Sequence, residues 1–420
     1  MKCPDCSAAV EVDAGFTGWC EDCGWNLVPP NGAKPLTRRQ RRRTAVAARH
    51  EDAVLARAMR GRGQQVRHDL QSRVAVGIAV AVQLLTLGTV ALAGWLGWEA
   101  RRYPPLALPA LACLALAYAL RPRLGRLPRE FVLSRAACPS FFGLLDQISK
   151  AAGAPAFDHA VLATGPTAAT ARVGIRRQRV LIIGAALWSV LDWDERMAVL
   201  AHEAGHNVSN DSRRGYLLGT SLKALEVWVA ILTPRTRAFL FQQILFRMLV
   251  RSPLRWVTIG LYAALLRLSS GVSRLAEYRA DDIAATVAGT DATARALDKM
   301  LVTRDGIARI AQTVLWQPGV SLWTAQREFV DSFPQRQRDR LRRIDQRSAT
   351  GLYSTHPSVT RRIAYLCASP VPGSITPLSA GQLAQIDDEL EPQLHKLARD
   401  IRARLESSLT PAQLETLPKR

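Results

Sequence analysis

The sequence predicts a mainly helical chain with a small β-sheet, an α+β architecture, preceded by a zinc ribbon and a transmembrane helical hairpin. Three observations lead there. Two Cys-x-x-Cys pairs stand within the first 23 residues, an uncharged run of 25 residues begins at Val74, and a His-Glu-x-x-His pattern sits in a capped helical segment. The chain is 420 residues long, more than one compact domain of about 100–200 residues. Hydrophobic residues make up 48% and charged residues 22%, which excludes a disordered or low-complexity chain.

The first unit is residues 1–30. Cys3 and Cys6 form one pair and Cys20 and Cys23 the other, with Gly24 following as the residue of a tight knuckle turn. Each pair brings two thiolates to one ion, and four thiolates close a tetrahedral structural zinc site. The alternative is a pair of redox dithiols. Thirty residues hold too little core to fold without such a staple. Seven cysteines, with four of them clustered here, argue against a secreted disulfide scaffold and for a reducing compartment. Cys113, Cys138 and Cys367 read as ordinary packed thiols.

Residues 31–73 read as a basic cytoplasmic linker, carrying a net charge of +9 over residues 34–73. Residues 74–122 form the transmembrane hairpin. Val74–Trp98 makes a helix of about 37 Å, enough to cross a hydrocarbon core of ~30 Å, with Trp95 and Trp98 at one interface. Tyr103–Leu120, containing Pro104, Pro105 and Pro109, is the second span. The flanks are strongly positive (residues 121–135 add +4) and the connector is nearly neutral, so both ends of the hairpin belong on the cytoplasmic side. Membrane lipid is then the anionic partner. Thirteen of the 21 net positive charges are accounted for this way, so nucleic acid is not needed as a partner to explain the basicity.

A globular region follows over residues 130–370, and a C-terminal helical tail over 371–420. Asp158–Thr164 and Arg179–Ile183 read as strands. Asp192 and Glu195 form a capping-box pattern that opens a helix to about Asn207. Within residues 216–270, Tyr216–Thr233 and Trp256–Leu266 are apolar but flanked by charge. They form either a second membrane hairpin or an interfacial pair. The connector with Arg235, Arg237, Arg247 and Arg251 argues against export.

His202 and His206 lie four apart on one helix face, so both imidazoles can reach one metal. Glu203 is rotated about 100° from His202 and is placed to take the proton of an attacking water as general base. A hydrolytic zinc needs a third protein ligand. An HExxHxxGxxH continuation is excluded, because Ser209 and Ser212 occupy the positions of its glycine and histidine. A carboxylate from another helix fits: Glu277 as ligand with Asp281, one turn on, accepting a hydrogen bond from a ligating histidine. By spacing alone Glu226 and Asp211 compete with it.

His202–His206 with Asn207–Asp211, the ExxAD run Glu277–Asp281, and Leu352-Tyr353-Ser354-Thr355-His356-Pro357 with Arg362-Ile363 occur in that order. Together, over residues 135–367, they resemble the HtpX and CAAX-prenyl-protease family of membrane zinc endopeptidases. The resemblance implies a zincin-like peptidase domain acting on a polypeptide substrate. It implies one catalytic zinc on His202, His206 and Glu277, with Glu203 as base and Asp281 behind a ligand. His356 and Arg362 would lie near the bound peptide, as candidate catalytic groups for the oxyanion. The structural zinc of the ribbon is an addition to the family pattern, and a protein partner of the ribbon is one use for it. Where the family carries an Asn-Ala-Phe-Ala-like edge strand that aligns substrate, this chain has Thr167-Ala168-Ala169-Thr170, so that step does not transfer directly. The expected whole is a multi-pass protein of the cell membrane with ribbon and catalytic domain facing the cytoplasm. Quality control of membrane proteins and peptide maturation are the two expected settings. The rival from another class is a catalytically inactive membrane-bound zinc-ribbon adaptor.

Overall fold

The computed structural model describes residues 1–27, 38–62, 70–121, 125–128, 130–208, 211–233, 253–316, 319–348 and 356–407. The chain divides into two units. The first comprises residues 1–62, 125–209 and 275–420, and the second residues 63–124 and 210–274.

In the first unit the N-terminal segment precedes helix α1 (Arg38–Arg60), which lies in the region expected as a linker. Its Val54 and Ala58 are buried in one cluster with Tyr278, Tyr365 and Leu366. After the second unit's helices α2 (Leu70–Glu99) and α3 (Ala107–Leu120) come strand β1 (Val132–Leu133) and helix α4 (Pro139–Ala151). Strands β2 (His159–Ala163), β3 (Ala168–Val173) and β4 (Gln178–Gly184) follow. Next are α5 (Ala185–Trp188) and α6 (Trp193–Val208), then α7 (Asp211–Ile231) in the second unit. Helix α8 (Pro253–Ala288) contributes residues to both units. The remainder is α9 (Thr290–Trp316), α10 (Leu322–Asp331), α11 (Gln335–Ser348), α12 (Val359–Cys367) and α13 (Ala380–Ser407).

Among the described residues the strands form one mixed sheet in the order β1-β2-β4-β3. The expected strands at 158–164 and 179–183 are β2 and β4, which run parallel, while β1 and β3 pair antiparallel to their neighbours. Strand β3, the segment that departs from the family's edge-strand sequence, is an edge strand here as well. It turns into β4 through Gly174 and Arg177, both at positive φ. Alternation sends Ala160, Leu162, Leu181 and Ile183 into a core shared with Phe141, Leu145 and Ile148 of α4 and Leu200 and Ala204 of α6.

Residues expected as a C-terminal tail close that same core. Ile386, Leu390 and Leu397 of α13 are buried in it. Glu389 accepts from the backbone N–H groups of Ser140 and Phe141, both at 2.9 Å, capping the first turn of α4.

The ribbon packs on the same unit. Phe16 meets Phe333 edge-on at 5.1 Å. Arg336 pairs with Glu21 at 2.8 Å, Gln337 donates to Asp13 at 2.8 Å, and the guanidinium groups of Arg336 and Arg343 lie over the buried Trp19 ring. Trp19 is thus covered by the basic stripe of α11 rather than by a ribbon core of its own.

In the second unit, α2 is long and apolar enough to cross a membrane, and the following apolar segment Pro104–Leu120 is shorter. Small residues Ala75 and Ala79 are buried with Val82 against Leu218, Ala224 and Leu225 of α7. Ser221 donates to the Ala79 carbonyl at 3.0 Å, and Gln83 donates to Thr220 and Ser221. Leu84, Leu85, Leu87, Trp95 and Trp98 point outward, an apolar surface that water does not favour. Of the two doubtful segments, Tyr216–Thr233 falls largely in α7 and Trp256–Leu266 in α8. Their arginine-rich connector lies outside the described residues.

Because α13 completes the main core, Leu390→Ala is expected to lower stability by about 2–5 kcal/mol, measured by chemical denaturation of the detergent-solubilised chain.

Candidate functional site

Helix α6 begins as the sequence indicated, but its cap is only half of a capping box. The Asp192 backbone N–H donates to the Glu195 carboxylate at 2.8 Å. The Asp192 side chain, expected to cap the first turn, instead pairs with Lys299 at 2.8 Å and with Arg327. Those cations outcompete a backbone N–H for a carboxylate. Asp194 and Glu195 in the first turn suit the positive end of the helix dipole.

One turn before its end, α6 carries His202, Glu203, Gly205 and His206. A Cβ added to Gly205 would stand 3.1 Å from the Ala280 Cα and 3.3 Å from its Cβ. Glycine facing alanine therefore lets α6 and the last turns of α8 approach closely at this point. That approach brings Glu277 to the histidine pair. The two Nε2 atoms are 3.2 Å apart, and each lies 3.6 Å from a Glu277 carboxylate oxygen. Ligand atoms of His202, His206 and Glu277 all lie within 4.8 Å of one another. Tetrahedral zinc at its usual bond lengths holds nitrogen ligands about 3.4 Å apart, so the spacing fits a single ion. Among the described residues Glu226, one competing donor, is not in this cluster, and the side chain of Asp211, the other, lies outside the described residues.

Asp281 is fully buried and lies 3.0 Å from Nδ1 of His202. An N–H at Nδ1 donated to Asp281 leaves the Nε2 lone pair facing Glu277, the tautomer a metal ligand needs. Arg362, expected beside the bound peptide, is buried behind the cluster. It donates twice to Asp281, at 2.8 and 2.6 Å, and its Nη1 is 3.4 Å from Glu277. His356 stands at the mouth, with 68% of its side chain exposed and Nδ1 2.8 Å from Oε1 of Glu277. Residues 352–355 of its motif lie outside the described residues.

The electrostatics of the cluster suit a cation. Burial opposes ionisation of Glu277, yet hydrogen bonds from His202 and His356 and the charge of Arg362 hold it well below the usual carboxylate range. Asp281 is likewise held low against its burial, chiefly by Arg362. Burial and Arg362 both disfavour a charged His202, but its hydrogen bonds to Asp281 and Glu277 push it up to about 9. His206, by contrast, is lowered by burial and by neighbouring His202. Three carboxyl groups, Glu203, Glu277 and Asp281, converge with one guanidinium. This acidic surplus suits a bound cation.

A model described as Peptidase family M48 matches residues 144–369, which run from α4 through α12 and contain every residue of this cluster. The chain belongs to that family. Family M48 comprises zinc metallopeptidases, so the substrate is a polypeptide. The resemblance drawn from the three ordered motifs is borne out at this level. No curated protein and no solved structure matches the chain.

The N-terminal cysteines converge separately. Sγ of Cys3 is 3.6 Å from that of Cys23, and Cys6 is 3.6 Å from Cys20. All four fall within 4.8 Å of one another, near the roughly 3.8 Å between sulfurs on tetrahedral zinc. Both knuckles turn at positive φ, one at the predicted Gly24 and the other at Ser7.

Two contributors were not evident from spacing. Thr170 of β3 donates to Glu203, and Glu51 and Asp52 of α1 pair with Arg361, the neighbour of Arg362. Both are contacts between segments far apart in sequence, and no local periodicity marks them.

Arg362→Met leaves Asp281 buried without its cation and should cost about 3–5 kcal/mol, read by thermal or denaturant unfolding. Asp281→Ala should weaken zinc at the histidine pair about 10–100-fold, measured by competition with a chromogenic chelator.

Proposed function

We propose that this M48 metallopeptidase is a membrane-anchored zinc endopeptidase whose ribbon and catalytic unit face the cytoplasm. What supports the reading is the convergence of His202, His206 and Glu277 donor atoms beside the buried carboxyl of Glu203. Anchoring is supported by the length and apolarity of α2, and the orientation by the basic flanks of the hairpin.

His202, His206 and Glu277 would hold the catalytic zinc, which when bound polarises the scissile carbonyl and makes water acidic enough to serve as nucleophile. Glu203 accepts the proton of the attacking water and returns it to the departing amine. Asp281 fixes the His202 ring and its tautomer. Arg362 acts from behind, its fixed charge balancing Asp281 and Glu277. His356 is the donor at the mouth, within reach of the developing oxyanion. A peptide laid along β3, the edge strand beside α6, would present its carbonyl to this cluster. Cys3, Cys6, Cys20 and Cys23 would hold a second, structural zinc. Processing of membrane or misfolded polypeptides is the setting proposed, with maturation of a particular peptide as the narrower form of the same chemistry.

Glu203→Gln is expected to lower casein cleavage by about 10²–10⁴-fold while the protein keeps its zinc, by activity assay and elemental analysis of the same sample. Cleavage equal to wild type would defeat the assignment of Glu203. Wild-type protein should carry two zinc ions per chain, with one lost in His206→Ala and the other in Cys6→Ser. A single shared loss in both variants would contradict two separate sites.

A further inference from the structure

Thr170 sits in β3, paired across the ladder with Leu181 of β4. Its hydroxyl oxygen is 2.9 Å from Oε2 of Glu203 and 3.1 Å from the backbone carbonyl of the same residue. Both acceptors belong to Glu203, so the hydroxyl is clasped by a single residue of α6. The Glu203 side chain is itself buried, with only 5% of the residue exposed. A carboxylate on a helix otherwise turns about its terminal torsion through a broad, roughly two-fold well.

We propose that Thr170 is a positioning residue for the proton-transferring carboxylate: its hydroxyl fixes Oε2 of Glu203 and leaves Oε1 as the oxygen that takes and returns the proton. The proposal rests on the reading of Glu203 as general base. Thr170 makes and breaks no covalent bond in the reaction. During the reaction one proton moves from water to Oε1 and then to the leaving nitrogen, while Oε2 stays held. The held oxygen ties the base to the edge strand, so that displacement of β3 and rotation of the carboxylate are one event.

Ala168, on the same face of β3 by strand alternation, has no donor. The value of the contact is orientation, since a base placed within reach but free to rotate spends most of its time misaligned.

The test compares wild type, Thr170→Val, Thr170→Ser and Glu203→Gln as full-length, zinc-loaded protein with fluorescein-labelled casein. Valine keeps the shape and removes the hydroxyl, and serine keeps the hydroxyl. Thr170→Val should lose roughly ten- to a hundredfold in kcat with KM, zinc content and melting temperature unchanged. Thr170→Ser should recover most of that loss. The infrared carboxylate band obtained as wild type minus Glu203→Gln should shift in the Thr170→Val background, a readout independent of turnover. Wild-type kcat in Thr170→Val, a loss confined to KM, or equal impairment in the valine and serine forms would each overturn the proposal. If Glu203→Gln is inactive while Thr170→Val is fully active, only the role of Thr170 falls. If Glu203→Gln cleaves normally, the assignment of the base falls and the role of Thr170 with it.

Discussion

The bidentate contact between Arg362 and Asp281 is the interaction on which the site depends. Asp281 is wholly buried, and a carboxylate there is tolerable only beside a fixed cation with its remaining lone pairs used. With that charge settled, Asp281 can accept from His202, and the ring is turned so that Nε2 faces His206 and Glu277. The histidine pair offers two nitrogens on one helix face, but it is the arginine from a different helix that gives them a common target. A buried pair of this kind adds little net stability compared with an apolar replacement. What it contributes is a defined ring orientation.

Close backbone approach is the second constraint. Gly205 and Ala280 let α6 and α8 meet where the donor side chains emerge, so Glu277 spans the gap without stretching. Around this contact the domain is closed by segments from both ends of the chain. The turn that ends helix α1 reaches the back of the site through Arg62, which pairs with Asp282 at 2.9 Å and stacks on Tyr365. Tyr365 donates in turn to Asp282 at 2.6 Å. On α12, adjacent arginines thus serve opposite directions, Arg361 toward α1 and Arg362 toward Asp281 and Glu277.

Much of this was legible in the sequence because it is written at helical spacing. His202, His206, Glu277 and Asp281 are each paired at i,i+4, and the four ribbon cysteines at fixed intervals. The β2 and β4 strands announce themselves by short apolar and β-branched runs bounded by Gly and Pro. What could not be read was whatever depends on a partner distant in sequence. The basic stretch before α2 reads as a basic cytoplasmic linker, since its apolar positions Val54 and Ala58 are few and the surface that covers them lies more than 200 residues away. The last helix reads as a tail for the same reason. Its apolar residues mark a buried face but not what buries it. Arg362 was placed near the site by the family motif, while its engagement with Asp281 emerges only when α8 and α12 are seen side by side.

The placement of α13 has a consequence for biosynthesis. Ribosomes release a chain from its N-terminus, so the histidine motif of α6 is out long before Leu390 and Leu397 arrive to seal the layer beneath it. Until then α4 lacks the carboxylate that caps its first turn, and the apolar faces of β2 and α6 remain wet. A nascent hydrolase with its ligands exposed but its floor missing has no rigid cleft in which to cut. The order of translation therefore delays completion of this core until α13 has emerged.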